Sequence, residues 1–359
     1  MATDAASEAP ATAAGLPLPP SPTPAWVVLQ NLQQAEETDN TETDDTDEGG
    51  HTDSDLDSAL GSNLEDSTYS LSSSIFAYRT LHGRTYHSER GTAQYWYLTT
   101  STCARPAKAD TLFYRASNDD QAADSLDIAH HFTLLLLEDK LYLAPLKSNI
   151  QKVIDIGTGT GIWAIGSEIE DCNDSWTFRA DEVDFVHMRF MLGSITDWTA
   201  TFKEAFEVCK PGGWVESYEV SSTMESDDDS IPAGSAMQRW GEVFEEGGRR
   251  AGRSFAIIQE DVQRKSMEEA GFVNIHVEDL KAPVGGWHQE TRLKQVGQFM
   301  QAALERDYEG YLLFLACELM GWTEEQVRVL CAQLRREIRS GQHHPYFRQR
   351  IVYGQKPEL

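Results

Sequence analysis

The fold is decided by residues 153–165, which read Val-Ile-Asp-Ile-Gly-Thr-Gly-Thr-Gly-Ile-Trp-Ala-Ile. The residues before the first glycine form the short apolar run that a buried parallel strand shows. Three alternate glycines follow, Gly157, Gly159 and Gly161. Glycine reaches positive φ, and it lets a ligand lie against the backbone with no Cβ between them. We therefore predict a strand that ends in a ligand-binding turn and leads into a helix.

The spacing of these glycines restricts the classes of ligand that the turn can bind. It differs from the Gly-x-Gly-x-x-Gly of dinucleotide binders. No Lys-Ser/Thr pair follows it, which argues against a nucleoside-triphosphate phosphate loop. Asp155 precedes the first glycine by two positions. This acid-x-Gly-x-Gly-x-Gly pattern resembles the first motif of Rossmann-like S-adenosylmethionine-dependent methyltransferases.

Charge is distributed unevenly along the 359 residues. Residues 1–70 hold fifteen Asp or Glu and no Lys or Arg, so they carry −15 of the net charge of −28. One-sign charge with few apolar residues predicts a disordered acidic arm. The arm is either a solubilising tail or an interaction segment for a basic protein partner. So acidic a chain has no general attraction for nucleic acid or anionic membranes, and we expect direct contact with neither.

Cysteine usage and apolar runs predict the compartment. The five cysteines form no Cys-x-x-Cys pair, which indicates reduced thiols and argues against a zinc module. The longest apolar runs, residues 132–137 and 311–317, are too short to cross a bilayer, and no signal peptide pattern opens the chain. We expect a soluble cytoplasmic or nuclear protein.

Hydrophobic periodicity predicts alternating helices and strands after the acidic arm. Predicted strands cover residues 183–187, 214–220, 272–277 and 346–353. Predicted helices cover residues 127–137, 236–247 and 258–270, with others starting at the possible caps Asp197 and Thr323. We divide the chain into the arm, an N-terminal helical lid (71–150) with an insertion at 98–116, and a catalytic domain (151–359) with a helical insert at 290–340.

The segment between the glycines and the next predicted strand is too short to contain a further strand with its own crossover. Only 25 residues, Thr158 to Glu182, separate the first glycine from the next predicted strand. Each parallel crossover needs a dozen or more residues, so there is room for one crossover and not for two. The second-strand region is therefore predicted to be missing. In the methyltransferases that the glycine motif resembles, the second strand ends in an acid that hydrogen-bonds the ribose hydroxyls. Here Glu168 is a weak substitute for that acid, and Asp181 is not accepted as one.

Several blocks of sequence together resemble the fungal LaeA-like methyltransferases, which are regulators of secondary metabolism. The blocks run in the family's order from about Ser70 to the end: residues 84–87, 126–131, 153–165, 183–189, 193–198, 210–214, 270–272 and 352–357. The resemblance implies an α/β, Rossmann-like methyltransferase sheet, mainly parallel with an antiparallel last strand and helices on both faces. It also implies S-adenosylmethionine as the cofactor.

The resemblance assigns roles around that cofactor. The backbone of the glycine loop would carry it, Asp155 would orient the loop and the amino-acid end, and Asp171 would accept a hydrogen bond from the adenine. Tyr86 and His87 would belong to a lid. The residues assigned to cofactor binding are Asp155, Gly157, Thr158, Gly159, Gly161, Asp171, Tyr86 and His87. Asp171 is equally well an exposed loop acid, and Tyr86 with His87 a surface aromatic patch.

His187 and Arg189 are the candidate catalytic residues, because they end a predicted parallel strand, where α/β sites gather. A histidine there can act as a base near neutral pH, although a packed, hydrogen-bonded histidine fits the same position. His130 and His131 point about 100° apart on a helix and cannot share one metal, so no metal site is predicted.

Three hypotheses follow. The first is an S-adenosylmethionine-dependent methyltransferase acting on a small metabolite or a protein side chain. The second is a catalytically impaired, methyltransferase-like interaction protein in a regulatory complex, suggested by the missing ribose-binding acid. The third is a truncated version of a longer enzyme, in which the first strand would form an exposed edge.

Overall fold

A computed structural model of the chain describes residues 79–86, 119–157, 173 and 175–358. The acidic arm and the insertion predicted at 98–116 lie outside these residues. Within them, no helix has both the length and the apolar character that a bilayer span requires. In chain order the elements are β1 (Arg79–Leu81), β2 (Arg84–Tyr86), α1 (Asp120–Leu136), β3 (Val153–Ile156), β4 (Val183–Arg189), α2 (Trp198–Val208), β5 (Cys209–Glu225), α3 (Ala236–Ala251), α4 (Val262–Ala270), β6 (Val273–Pro283), α5 (Thr291–Leu313), a π-helix (Phe314–Leu319), α6 (Glu324–Arg339) and β7 (Tyr346–Gln355).

Five of the strands form one sheet in the order β3-β4-β5-β7-β6. β3, β4 and β5 run parallel, and β7 is antiparallel to both of its neighbours, β5 and β6. The prediction of a mainly parallel α/β sheet with an antiparallel last strand is confirmed. β4 is buried along most of its length because both of its edges are paired and both of its faces are covered, as a central parallel strand requires.

β3 is the edge strand of the sheet as far as the structure describes the chain. Its first residue, Val153, is 40% exposed, unlike the valine that opens β4, Val183, which is fully buried. A strand with one paired edge leaves half of its backbone groups without a ladder partner. Residues 158–172, where the second strand is predicted to be missing, lie outside the described residues, so that absence stays a prediction.

Helices cover both faces of the sheet. On one face, Gln263 of α4 donates from Nε2 to the backbone oxygen of Ser217 at 3.0 Å. On the other face, Leu137 after α1 packs with Tyr218 and Ile351 in a small buried cluster. Ser217 and Tyr218 are consecutive in β5, so their side chains point to opposite faces.

Side-chain caps decide where several helices begin. Asp197 accepts a hydrogen bond from the backbone of Ala200 and starts α2, as predicted. Thr323 and Gln326 form the predicted capping box at the start of α6. α1 begins seven residues earlier than predicted, at Asp120 in place of Asp127, because the Asp119 carboxylate caps it.

The predicted helical insert consists of α5, the π-helix and α6. α5 is kinked at Asp307, whose backbone has φ −146° and ψ 41°. The Asp307 carboxylate accepts from the backbone nitrogen of Gly310 at 3.0 Å, so it caps the second half of the helix. The π-helix follows directly after the last residue of α5, and π-type insertions are frequent at functional sites.

The N-terminal region contains a β-hairpin, whereas the sequence predicts a helical lid there. β1 and β2 form a hairpin whose two-residue turn, His82-Gly83, has φ of 52° and 76°. Positive φ at both central positions defines a type I′ turn, which matches the twist of the paired strands. The hairpin went unpredicted because its strands are only three residues long and show no clear alternation.

Candidate functional site

The described part of the glycine turn is Gly157, which follows β3 with φ 74°. A Cβ at this position would overlap the sulfur of Met191, so the turn requires glycine. Met191 therefore fills the side of Gly157 to which a side chain would point. Thr158, Gly159, Gly161, Asp171 and His87 lie outside the described residues. The same holds for the side chain of Tyr86, whose backbone ends β2.

Asp155 and His187 face each other across the β3–β4 pair. They are register partners, so both side chains lie on the same face of the parallel sheet. His187 Nδ1 donates to Asp155 Oδ1 at 2.8 Å, and His187 is 1% exposed. Burial lowers the pKa of His187, while Asp155 acts in the opposite direction. His187 is thus a packed, hydrogen-bonded histidine, and its role as a catalytic base stays a prediction.

Arg189 ends β4 and extends toward α1. Its Nη2 donates to His130 Nδ1 at 3.2 Å, and its guanidinium lies over the ring of Phe190. Burial, and then the charge of Arg189, lower the pKa of His130 to about 4. His130 is therefore neutral near pH 7 and can accept this hydrogen bond. His131 instead packs edge-on against Phe299 in α5, with the ring centroids 4.4 Å apart.

Glu219 of β5 fixes the segment that follows β4. Its two carboxylate oxygens accept from the backbone nitrogens of Met191 and Leu192 at 2.8 and 2.9 Å. Burial raises the pKa of Glu219 to about 8, although both backbone N–H groups favour the charged form. Glu219 therefore holds in place Met191, which packs against Gly157, and the following residue, Leu192.

A second buried glutamate on β5 holds the segment after α1. Glu216 Oε2 accepts from the backbone nitrogens of Leu143 and Ala144 at 2.8 and 2.6 Å. Burial raises the pKa of Glu216 to about 7. Glu216 is also the register partner of His187, so a row of ionisable side chains crosses β3, β4 and β5 on one face.

An apolar cavity of about 110 Å³ lies beside this row, where β4 ends and β5 extends beyond it. α/β sheets place ligand sites at this edge, outside the carboxyl ends of the strands. The cavity is lined by Ala122, Ser125, Leu126, Ala129, Phe132, Phe190, Leu192, Val220, Ser221, Ser222, Trp240, Phe244, Met300, Ala303, Leu304, Asp307, Gly310, Tyr311, Phe347 and Gln349. Leu192 forms part of its wall, and the preceding Met191 packs against Gly157, so the cavity and the glycine turn are neighbours.

The β1–β2 hairpin is attached to the helices around this cavity. Arg84 binds the carboxylates of Asp119 and Asp307, with Arg84 Nη1 2.6 Å from Asp307 Oδ1. His82 binds Glu318 in the π-helix at 2.9 Å and Glu324 in α6 at 2.7 Å. These two glutamates raise the pKa of His82 against the opposing effect of burial. The hairpin therefore joins α1, the kink of α5 and α6.

For most of the cavity residues, nothing in the sequence indicates that they line a cavity. Trp240, Tyr311 and Gln349 belong to periodic helices or to the last strand, where such residues predict ordinary core packing. They meet only because α1, α3 and α5 converge over the end of β5. Among the described residues, no group of three or more His, Cys, Asp or Glu side chains could hold a metal ion.

Comparisons with known proteins agree with this architecture. Residues 128–277 match the family described as "Methyltransferase domain". The methyltransferase pytC of Aspergillus terreus is 32% identical over 321 residues, which span 82% of this chain and 92% of that protein. The secondary metabolism regulator LAE1 of Gibberella fujikuroi is 32% identical over 272 residues, which span 67% of this chain and 86% of the regulator.

Solved structures show similarity of a lower degree. The phosphoethanolamine N-methyltransferase 2 of Haemonchus contortus, in complex with S-adenosyl-L-methionine, is 15% identical, with a TM-score of 0.33. The alignment covers 65% of this chain and 52% of that one. The [4+2]-cyclase SpnF is 12% identical with a TM-score of 0.31, over 64% of this chain and 81% of the cyclase.

The sheet order and the sequence match together define a methyltransferase with a Rossmann-like fold. Within that class, the chain belongs to the LaeA-like family of fungal methyltransferases, to which its sequence relates it over two thirds or more of its length.

Proposed function

We propose that the protein transfers a methyl group from S-adenosylmethionine to an acceptor bound in the apolar cavity, in the service of secondary metabolism. The observation that carries this proposal is the adjacency of the cavity to the glycine turn through Met191 and Leu192. Support also comes from the relatives, one of which is called a methyltransferase and another a regulator of secondary metabolism.

When bound, the cofactor would supply an electrophilic methyl group on a sulfonium; the acceptor's nucleophilic atom would bond to the methyl carbon as the carbon–sulfur bond breaks and the neutral thioether leaves with the electron pair. The chain's part in such a displacement is to position the acceptor and to exclude water. Phe190, Leu192 and Val220 supply an apolar wall at the end of the sheet. Glu219 holds this wall in register with the glycine turn through two backbone hydrogen bonds.

The left-handed conformation of Gly157 suits a turn that carries a nucleoside on its backbone. Because Met191 occupies one side of Gly157, we assign cofactor binding to the residues that follow in the sequence, which include Gly159 and Gly161. The Asp155–His187 pair would keep β3 and β4 aligned next to Gly157.

Calorimetric titration with S-adenosylmethionine tests the proposal. We expect measurable binding to the wild-type chain and a loss of at least about tenfold in affinity, ~1.4 kcal/mol, in Gly159→Val, because a branched side chain would stand between backbone and ligand. Gly286→Val is the matched control, since Gly286 is exposed and a Cβ there makes only ordinary contacts.

Absence of a heat signal from wild type, with S-adenosylmethionine and with its demethylated product, would refute the proposal. Equal affinities of Gly159→Val and wild type would refute the role of the loop. The melting temperatures of both variants establish that they are folded.

We propose as the second candidate an interaction protein that works in a regulatory complex through its acidic arm, residues 1–70. The position of β3 at the edge of the described sheet favours it, because the ribose-binding acid is expected on the strand beyond β3. Loss of such a contact would cost roughly 1.5–3 kcal/mol per charged hydrogen bond. Pull-downs with and without residues 1–70 test this candidate, and an unchanged set of partners after deletion would eliminate the arm.

A further inference from the structure

The polar groups of the apolar cavity are almost all engaged within the protein. Ser125 Oγ donates to the backbone oxygen of Ala303 at 2.8 Å and lies 2.9 Å from the hydroxyl of Tyr311. Ser222 Oγ donates to the backbone oxygen of Phe255 at 3.2 Å. The protons of these two serine hydroxyls are therefore already donated within the protein and are not offered to an acceptor atom of a ligand.

Gln349 of β7 differs from these hydroxyls. It lines the cavity, it is fully buried, and its Oε1 accepts a hydrogen bond from the hydroxyl of Tyr218. Among the described residues, its Nε2 donates to no group. A buried donor without a partner costs about 1–3 kcal/mol. A ligand atom that accepts a hydrogen bond would recover this free energy.

Among the described residues, the charged groups at the cavity offer no partner to an ionised ligand. Asp307 is the charged residue in the lining, and its carboxylate is already bound by Arg84, Gln121 and the backbone of Gly310. Arg84 in turn divides its guanidinium between Asp307 and Asp119. Moving a carboxylate, phosphate or ammonium group into an apolar space without a counter-charge is strongly unfavourable.

We propose that the cavity binds an uncharged, mainly apolar small molecule, with a ring-sized portion in the cavity and a carbonyl or ether oxygen that accepts a hydrogen bond from Gln349 Nε2. Resting on the proposed function, this ligand is the methyl acceptor, so the substrate is a neutral metabolite and not a lysine or arginine side chain. The cavity volume of about 110 Å³ is somewhat below the ~150 Å³ of an apolar cavity that admits benzene, so at most one ring enters it and the rest of the ligand lies outside.

Three small probes of similar shape test the class of ligand on the full chain without added cofactor. Acetophenone carries the acceptor oxygen, ethylbenzene lacks it, and benzoate adds a negative charge. Titration followed by protein-detected NMR should show that acetophenone binds about tenfold more tightly than ethylbenzene, a difference of ~1.4 kcal/mol, and that benzoate does not bind.

Two variants with a matched control locate the binding. Gln349→Leu should abolish the difference between acetophenone and ethylbenzene, because it removes the donor and keeps the cavity apolar. Ala303→Leu should weaken both by at least tenfold, because Ala303 lines the cavity. Ala302→Leu changes the neighbouring residue, which is outside the lining, and should bind both probes as wild type does. Melting curves check that each variant is folded.

The proposal is overturned if neither aromatic probe binds, if benzoate binds as tightly as acetophenone, or if Gln349→Leu keeps the preference for acetophenone. Unchanged probe affinities in a folded Ala303→Leu would place the binding elsewhere and also refute it. Because none of the probes needs the cofactor, a failure to bind S-adenosylmethionine would refute the proposed function and leave this result standing.

Discussion

Gly310 shows how the absence of one side chain shapes the kink in α5. A Cβ at Gly310 would overlap the Asp307 carboxylate, which caps the second half of the helix from that side. The same carboxylate binds Arg84 of the hairpin. A residue that is usually unfavourable inside a helix is therefore required here, because the carboxylate occupies its side-chain space.

We expect Gly310→Ala to lower the free energy of unfolding by about 1–3 kcal/mol, the usual cost of overpacking, in spite of alanine's higher helix propensity. Urea denaturation measures the change. Gly286→Ala, at an exposed position with room for a Cβ, is the control and should differ from wild type by less than about 1 kcal/mol. If Gly310→Ala raised the free energy of unfolding, the Asp307 carboxylate would be able to move away from the added Cβ without destabilising the protein.

At the scale of elements, the hairpin is attached by a buried ionic cluster around Arg84 and by the more exposed pairs of His82 with Glu318 and Glu324. The side chain of Arg84 is 11% exposed and that of Asp307 only 5%. Removing one partner of a buried pair leaves an uncompensated charge, which costs more than the pair contributes. The hairpin is otherwise small, with three residues in each strand.

We therefore expect Arg84→Gln to destabilise the protein by about 3 kcal/mol and to release the hairpin. Arg306→Gln is the control, because Arg306 pairs with Asp124 at the surface, where the loss should stay below about 1 kcal/mol. Chemical denaturation measures the free energy of unfolding of each variant. Hydrogen exchange of the backbone amides of residues 79–86 shows whether the hairpin stays bound to the helices. Equal effects of the two substitutions would contradict the buried cluster's role.

At the scale of the whole molecule, two buried glutamates link stability to pH. Glu216 and Glu219 have folded-state pKa values of about 7 and about 8, against an ordinary value of 4.5. A raised pKa means that the folded state binds protons more tightly than the unfolded chain. Their contribution to stability is therefore complete below pH 4.5 and is lost as pH rises through 7 and 8.

The free energy of unfolding should fall between pH 6.5 and 8, by at most about 1.4 kcal/mol per pH unit for each glutamate. His82, with its raised pKa, acts in the same direction, whereas the stabilising effect of neutral His130 is complete by pH 6.5. Urea denaturation across this range measures the slope, and Glu219→Gln should reduce it. A stability that is flat or rises from pH 6.5 to 8 would contradict the assignment.

The sequence by itself determined the layout of this protein. Apolar runs and caps are local properties, so they fixed most strands of the sheet, the start of α2 at Asp197 and the capping box at Thr323. The glycine motif and the ordered blocks identified the family. Boundaries moved where a side chain outside the periodic pattern intervened, as Asp119 does in starting α1 early.

Only the tertiary structure decided what surrounds the site. The pairing of His187 with Asp155 depends on strand register, and the cavity forms where α1, α3 and α5, distant in sequence, converge on β5. Gln349 is indistinguishable in the sequence from any other strand residue, because its missing hydrogen-bond partner is a property of its neighbours. Local patterns record which residues are buried, and the fold alone determines which of them meet.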